Sequence, residues 1–244
     1  MKTTPAHEKV MFRVMNYCYA TKEKGLVMET KSKWNGMDRN YEFQIKGVSD
    51  SDYAKNTQTR QSVTGYAVFL EDSVITTKSK MQSCVTLSVT EAELMAAVSC
   101  VQEMLFIKNV IESMEMKVKL PLKISVDNKG AVDAINNWNI GGRTRHVAVK
   151  INFLRELKEI GIIAVEWIPS NENCADMFTK NLPSQLFEKH TKRFCGEEDP
   201  NQFQWEGVGV TDQGTGTRAA HDDVGGKFHK SDSNVTGKMS DIPD

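Results

Sequence analysis

No two of the five cysteines in this 244-residue chain, Cys18, Cys84, Cys100, Cys174 and Cys195, are spaced C-x-x-C, and their number is odd. That argues against a disulfide or zinc framework and for reduced, mostly buried intracellular thiols. Charge of one sign is also missing. The chain carries 31 Lys+Arg and 32 Asp+Glu, a net charge of −1. The broad basic bias of many nucleic-acid binders is therefore absent, and any such surface has to be a local patch. No apolar run approaches the roughly 20 residues of a membrane span, so no membrane partner is expected. The opening MKTTPAHEKV has no apolar segment of the kind a secretory signal needs.

The balanced charge hides a gradient. Residues 1–49 hold 9 basic and 5 acidic residues, residues 50–195 hold 18 and 17, and residues 196–244 hold 4 and 10. The last segment also contains 8 of the 16 glycines and few large apolar residues. It cannot bury enough to offset its ordering entropy and is expected to be disordered. The chain thus divides into 1–40, 41–195 and an acidic, Gly-rich 196–244.

Hydrophobic spacing gives the elements. Val10, Met11, Val14, Met15 and Cys18 mark an apolar helical stripe, with Gly25 as the stop and "GLVMET" as a short strand. From Tyr41 the period becomes two. "YEFQIKGVSD", "TGYAVFLE" and "SVITTKS" read as three strands, the last two joined by a tight turn at Glu71-Asp72. A helix over about 89–115 follows, then strand "LKISVD", short helix "NKGAVDAINN", helix "TRHVAVKINFLRELKEIG", strand "IIAVEWIP", and short helices near 172–179 and 184–194. Three linked strands followed by alternating strands and helices predict an α/β layered fold, a mixed sheet covered by helices, with the later strands parallel. Trp167 and Phe153 read as core.

Four acids stand out, each with an ordinary reading beside a functional one. In "TLSVTEAEL", Ser88 and Glu91 fit a helix capping box. Glu93 has no such task and sits beside the apolar stripe, where a carboxylate is costly unless paired or metal-bound. Asp50 ends the first sheet strand and Asp52 lies two residues on; one of the two could point along the sheet toward a site while the other makes an Asx-turn, and either alone reads more readily as a turn residue. Asp127 ends "LKISVD", where it competes with Asn128 for a helix cap but also lies at the carboxyl end of a strand, where α/β sheets bind ligands. Asp176 falls early in the helix after "VEWIPSNENCA", where a helix dipole alone favours an acid. Together they are two strand-end acids and two first-turn acids able to converge. Such a cluster repels itself unless divalent cations enter. Mg²⁺ accepts few carboxylates and leaves room for a phosphate oxygen, and an ion pair roughly 3.5–4 Å apart serves phosphodiester hydrolysis.

The stretches "GVSDSDYAKNTQTRQSVTGYAVFL", "KSKMQSCVTLSVTEAELMAA", "SVDNKGAV", "GGRTRHVAVKINFLRE" and "VEWIPSNENCADMFTKNLP" resemble, in order and spacing, the ribonuclease H domain of Ty1/copia-type retrotransposon polyproteins. "PAHEKVMFRVMNYCYATKEKGLVMET" resembles the end of the reverse transcriptase that precedes that domain. The resemblance implies a ribonuclease H-like fold with a five-stranded mixed sheet flanked by helices. It assigns 1–40 to the end of the reverse transcriptase or a connection segment and 41–195 to the ribonuclease H-like domain. It implies hydrolysis of the RNA strand of RNA–DNA hybrids with two Mg²⁺ (or Mn²⁺) ions, and catalytic, metal-binding roles for Asp50, Glu93, Asp127 and Asp176. The reverse transcriptase portion would be a partner. The setting would be intracellular: cytoplasm, retrotransposon particles or nucleus. Arg143, Arg145 and His146, with Lys78, Lys80 and Lys129, form the expected contact to hybrid phosphates. The sequence departs from the family at Lys55-Asn56, where Gly-Asp is common, and at Ala148, where Asp is common. It also has no His in the loop "IPSNEN" before the fourth acid. The competing reading is a catalytically silent remnant that only binds nucleic acid or packs within a polyprotein.

Overall fold

The computed structural model describes residues 3–28, 34–137 and 145–195, without the side chains of 145–147. The 196–244 segment lies outside the described residues, as does Arg143.

Five strands form one sheet. β2 (Ile45–Asp52), β3 (Val63–Leu70) and β4 (Ser73–Met81) run as an antiparallel meander, and β6 (Leu122–Val126) and β7 (Ile163–Trp167) add parallel strands beyond β2. The spatial order is β4-β3-β2-β6-β7. A short parallel ladder joins β1 (Glu42–Phe43) to β5 (Lys117–Val118) beside it. The β3–β4 link uses Glu71 and Asp72 at φ +50° and +68°, positive values at both positions, as a two-residue hairpin of matching twist requires. Strand β2 runs to Asp52, two residues further than the sequence pattern marks.

Alternation along β2 sorts its side chains. Ile45 joins the larger core, and the backbone of Gly47 lies so close to α2 (Val89–Ser113) that an added Cβ would sit 2.6 Å from Met104 Sδ and 2.7 Å from Cys100 Sγ. Val48 faces the other way, into a smaller core with Ala67, Phe69, Val74, Cys174, Ala175 and Phe194. The larger core fills the space between the sheet, α2, α3 (Lys129–Asn136) and α4 (Arg145–Glu159). The smaller one lies under α5 (Ser184–Cys195) and a 3₁₀ turn, Cys174–Phe178, where the pattern predicts an ordinary helix.

Several expectations change. α2 is long and apolar enough, by length and composition, to cross a membrane. It buries Leu94, Ala97, Val101 and Met104 in the core, as the central helix of a layered domain does. The helix α1 spans Pro5–Ala20 and ends before Gly25, with Thr21 Oγ1 donating to Tyr17 O at 2.8 Å. Gly25–Met28 form no strand, and Val27 N–H donates to Phe194 O. The stripe of α1 buries nothing: Val10, Met11, Val14 and Met15 are all exposed. The five cysteines are unpaired, but only Cys100 and Cys174 are buried, while Cys18 and Cys84 are exposed.

Candidate metal centre

The acids come from three elements. The parallel ladder of β2 and β6 pairs Ser49 with Val126, and one further step sets Asp50 beside Asp127. Both then project on the sheet face opposite α2, since side chains alternate along each strand. Asp50 is fully buried. The cap of α3 is Asn128, whose side chain accepts Ala131 N–H at 2.9 Å. Asp127 is thereby left out of the capping role.

Asp176 reaches the same place from the 3₁₀ turn, which is stitched to the sheet. The buried Asn173 donates from Nδ2 to Ser49 O at 2.9 Å and accepts Ala175 N–H on Oδ1 at 3.1 Å. Ser79 Oγ donates to Phe178 O at 2.6 Å. Gly65, the partner of Asp50 across the β2–β3 ladder, gives the turn its room. A Cβ there would lie 2.5 Å from Thr179 Cγ2 and 3.0 Å from Ala175 O.

One carboxylate oxygen each from Asp50, Asp127 and Asp176 falls within 4.8 Å of the other two. Glu93 stands beside this group and outside it. Its Oε1 accepts Ser51 N–H at 3.2 Å and Ser51 Oγ–H at 2.9 Å, while the buried Oε2 has no partner. Burial, then Asp50 and Asp127, push the Glu93 carboxyl up to about 8. Burial, then Asp50, raise Asp176 to about 7. Asp127 is raised chiefly by burial, against a bond from Ser170. Burial and neighbouring carboxylates thus make the charged form of each of these acids costly.

Two residues that the sequence reading passed over complete the site. Thr179 Oγ1 donates to Asp50 Oδ2. Lys180 Nζ lies 3.0 Å from Asp50 Oδ1 and 3.1 Å from Asp176 Oδ1. Burial lowers this ammonium's pKa, but Asp50 and Asp176 outweigh it and hold it raised. Both residues sit within the quoted "CADMFTK", and the i,i+4 spacing of Asp176 and Lys180 was the available signal.

The remaining candidates are dispersed. Asp52 pairs with Lys55 at 2.6 Å. Lys78 and Lys80 lie on the edge strand β4, opposite Tyr66 and Thr64 in register, with Lys78 Nζ 5.5 Å from the Tyr66 ring. Arg145 and His146 begin α4, but their side chains lie outside the described residues. Glu91 does serve the start of α2, accepting Leu87 N–H at 2.8 Å while Ser88 Oγ accepts Glu91 N–H. Trp167 is not core. It is 42% exposed, donates from Nε1 to Asp127 O, and carries Lys129 Nζ 4.5 Å over its ring. A strand-terminal aromatic next to the site keeps one face open, because β7 is the sheet edge there.

A three-strand meander extended by two parallel strands, with helices on both faces and an acidic cluster at the central strand ends, defines a ribonuclease H-like fold. The chain's curated relatives include retrovirus-related Pol polyproteins of plant transposons. It is 35% identical over 144 residues to that of transposon TNT 1-94 from Nicotiana tabacum, covering 59% of this chain and 11% of the relative. It is 27% identical over 190 residues to that of transposon RE2 from Arabidopsis thaliana, covering 78% of this chain and 12% of the relative. The chain thus spans about a tenth of the length of the curated relatives it matches. No family model matches it. Among solved structures it is similar to LC11-RNase H1 in complex with an RNA/DNA hybrid, at 12% identity and a TM-score of 0.44, over 56% of this chain and 94% of that one. With these homologues, a ribonuclease H domain of a Ty1/copia-type retrotransposon polyprotein fits the chain.

Proposed function

We propose that this chain is a divalent-metal-dependent endonuclease that hydrolyses the RNA strand of RNA–DNA hybrids within a retrotransposon's reverse-transcription apparatus. The observation that carries the reading is the convergence of Asp50, Asp127 and Asp176. The donor set suits a hard cation: all three offer carboxylate oxygens, and the orphaned Glu93 Oε2 beside them is a fourth such donor without a partner.

In this reading Asp50, Asp127, Asp176 and Glu93 hold Mg²⁺ or Mn²⁺. Bound divalent cations supply the charge that activates water and stabilises the leaving oxygen of an in-line displacement at phosphorus. The chain's own residues do the positioning. Ser51 fixes Oε1 of Glu93 with two hydrogen bonds and leaves Oε2 without a partner. Asn173 and Thr179 anchor the turn that carries Asp176 against the strand that carries Asp50. Trp167, bonded to the Asp127 carbonyl, holds the end of β7 beside the site. Lys129, Lys78, Lys80, Arg143, Arg145 and His146 meet hybrid phosphates, which orient the duplex without reading its sequence. The minor-groove 2′-hydroxyls distinguish the RNA strand. The partner is the reverse transcriptase portion of the same polyprotein, and the setting is intracellular.

The test is cleavage of an end-labelled RNA–DNA hybrid by the purified chain with Mg²⁺, Mn²⁺ or chelator. Metal-dependent cuts in the RNA strand, with the matching DNA duplex left intact, are expected. A folded chain that leaves the hybrid whole with either metal overturns the enzymatic reading in favour of a silent binding module.

A further inference from the structure

Lys180 stands where a cation would. Its ammonium bridges Asp50 Oδ1 and Asp176 Oδ1, two of the three converging carboxylates. The lysine side chain is 36% exposed, against 0% for Asp50 and 7% for Asp176, so it reaches inward from the rim. Among the described residues no other ammonium or guanidinium is bonded to either acid.

Resting on the metal-dependent reading above, we infer that Lys180 is the site's own exchangeable counter-cation. It neutralises Asp50 and Asp176 in the metal-free protein, and a divalent ion must displace it. Lys180 thereby sets the metal concentration at which the site fills. Three features support this. The acids repel one another without a positive partner, and one ammonium serves two of them. A divalent ion and the ammonium draw on carboxylates of the same two acids, Asp50 and Asp176, and their like charges oppose joint occupancy. The four-carbon lysine stem is flexible and partly exposed, so the head can swing to solvent without disturbing the turn. Thr179, bonded to the other Asp50 oxygen, stays behind to hold the strand and turn together.

The test titrates Mn²⁺ by calorimetry into chelator-treated full chain. Lys180→Met should bind Mn²⁺ on the order of tenfold more tightly, since one competing charge is gone. Lys180→Arg keeps the charge and should stay near the wild-type affinity. In chelator, Lys180→Met should melt at a lower temperature than wild type, as loss of a structural lysine also would, but it should gain more from added Mn²⁺, which a purely structural lysine would not produce. If the Met variant does not fold without metal, the unaltered protein decides. Acylation of the Lys180 amine, followed by mass spectrometry at fixed pH, should rise several-fold when Mn²⁺ is added. Wild-type binding with no tightening in Lys180→Met, or acylation that is unchanged or reduced by Mn²⁺, overturns this inference and leaves the metal site standing. No Mn²⁺ binding by either protein overturns the metal site and this inference together.

Discussion

Asp50 and Asp127 ride on β2 and the end of β6, neighbours in a parallel ladder whose register runs from Lys46–Lys123 to Ser49–Val126. Asp176 rides on a five-residue 3₁₀ turn that belongs to no ladder. The sheet half of the site is placed by backbone hydrogen bonds that would exist whatever the side chains at 50 and 127. The turn half is placed by particular side chains: Asn173 on Ser49 O, Ser79 on Phe178 O, Thr179 on Asp50, and the empty space above Gly65. α5 backs it from outside, through Phe194 against Phe178 and through Lys189 on Asn171 O. A substitution in the sheet half should therefore remove chemistry and leave architecture, whereas one in the turn half should loosen both.

The largest effect should come from the sheet half. Asp127→Asn keeps shape and removes charge. Hybrid cleavage should fall by more than about a hundredfold, above the 10–100-fold typical of residues that only support metal ligands, with the circular dichroism spectrum and melting temperature close to wild type. Full activity in that variant would take Asp127 out of the mechanism. Next is Gly65→Ala. Its Cβ overlaps Thr179 and crowds the Ala175 carbonyl, and part of that contact is backbone that cannot give way. A loss of roughly 1–3 kcal/mol, as for overpacked cores, is expected in denaturant unfolding, together with reduced cleavage. Wild-type stability would show that the turn is not seated on β3.

Asn173→Ala should cost about 1–2 kcal/mol, because it strands the buried Ser49 carbonyl and Ala175 N–H. Activity should drop while the isolated sheet signal in hydrogen exchange is kept. Equal deprotection of β2 and the turn would erase the contrast between the halves. The smallest effect concerns pH. His190 on α5 is buried with Nε2 unpartnered, and burial, then Lys189, lower its pKa, opposed by Glu172. Its folded pKa lies below the ordinary value of 6.5, so the unfolded chain takes the proton more readily. Its contribution to stability is whole above the ordinary histidine range and is lost as pH falls through it. Between pH 7.5 and 5.5, wild type should lose more melting temperature than His190→Gln. Parallel curves would remove this histidine from the account.

The same division explains what could be read from residues alone. Period-two alternation locates β2, β3 and β4, because a strand's pattern is local; it places Asp127 just past β6 and Asp50 near the end of β2, which runs on to Asp52. Asn128 and Asp127 could both be named as caps, but only the fold shows that Asn128 takes the role. Asp176 was legible as a first-turn acid, yet its turn is 3₁₀. The residues that seat it act across long separations: Asn173 reaches Ser49, 124 positions away, and Lys180 reaches Asp50, 130 away. No periodicity encodes such contacts. Trp167 read as core because it is large and apolar, but it sits on the sheet edge and stays half open. The spacing on α1 predicts a helix, and a helix forms there, but its apolar stripe buries none of its residues.

The central claim is that three distant carboxylates hold a divalent cation. Anomalous diffraction from a crystal of the chain soaked in Mn²⁺ tests it most directly. A peak bonded to oxygens of Asp50, Asp127 and Asp176 is expected, with Lys180 turned away from it. Well-ordered carboxylates with no peak between them at saturating Mn²⁺, or with the three side chains pointing apart, would contradict it.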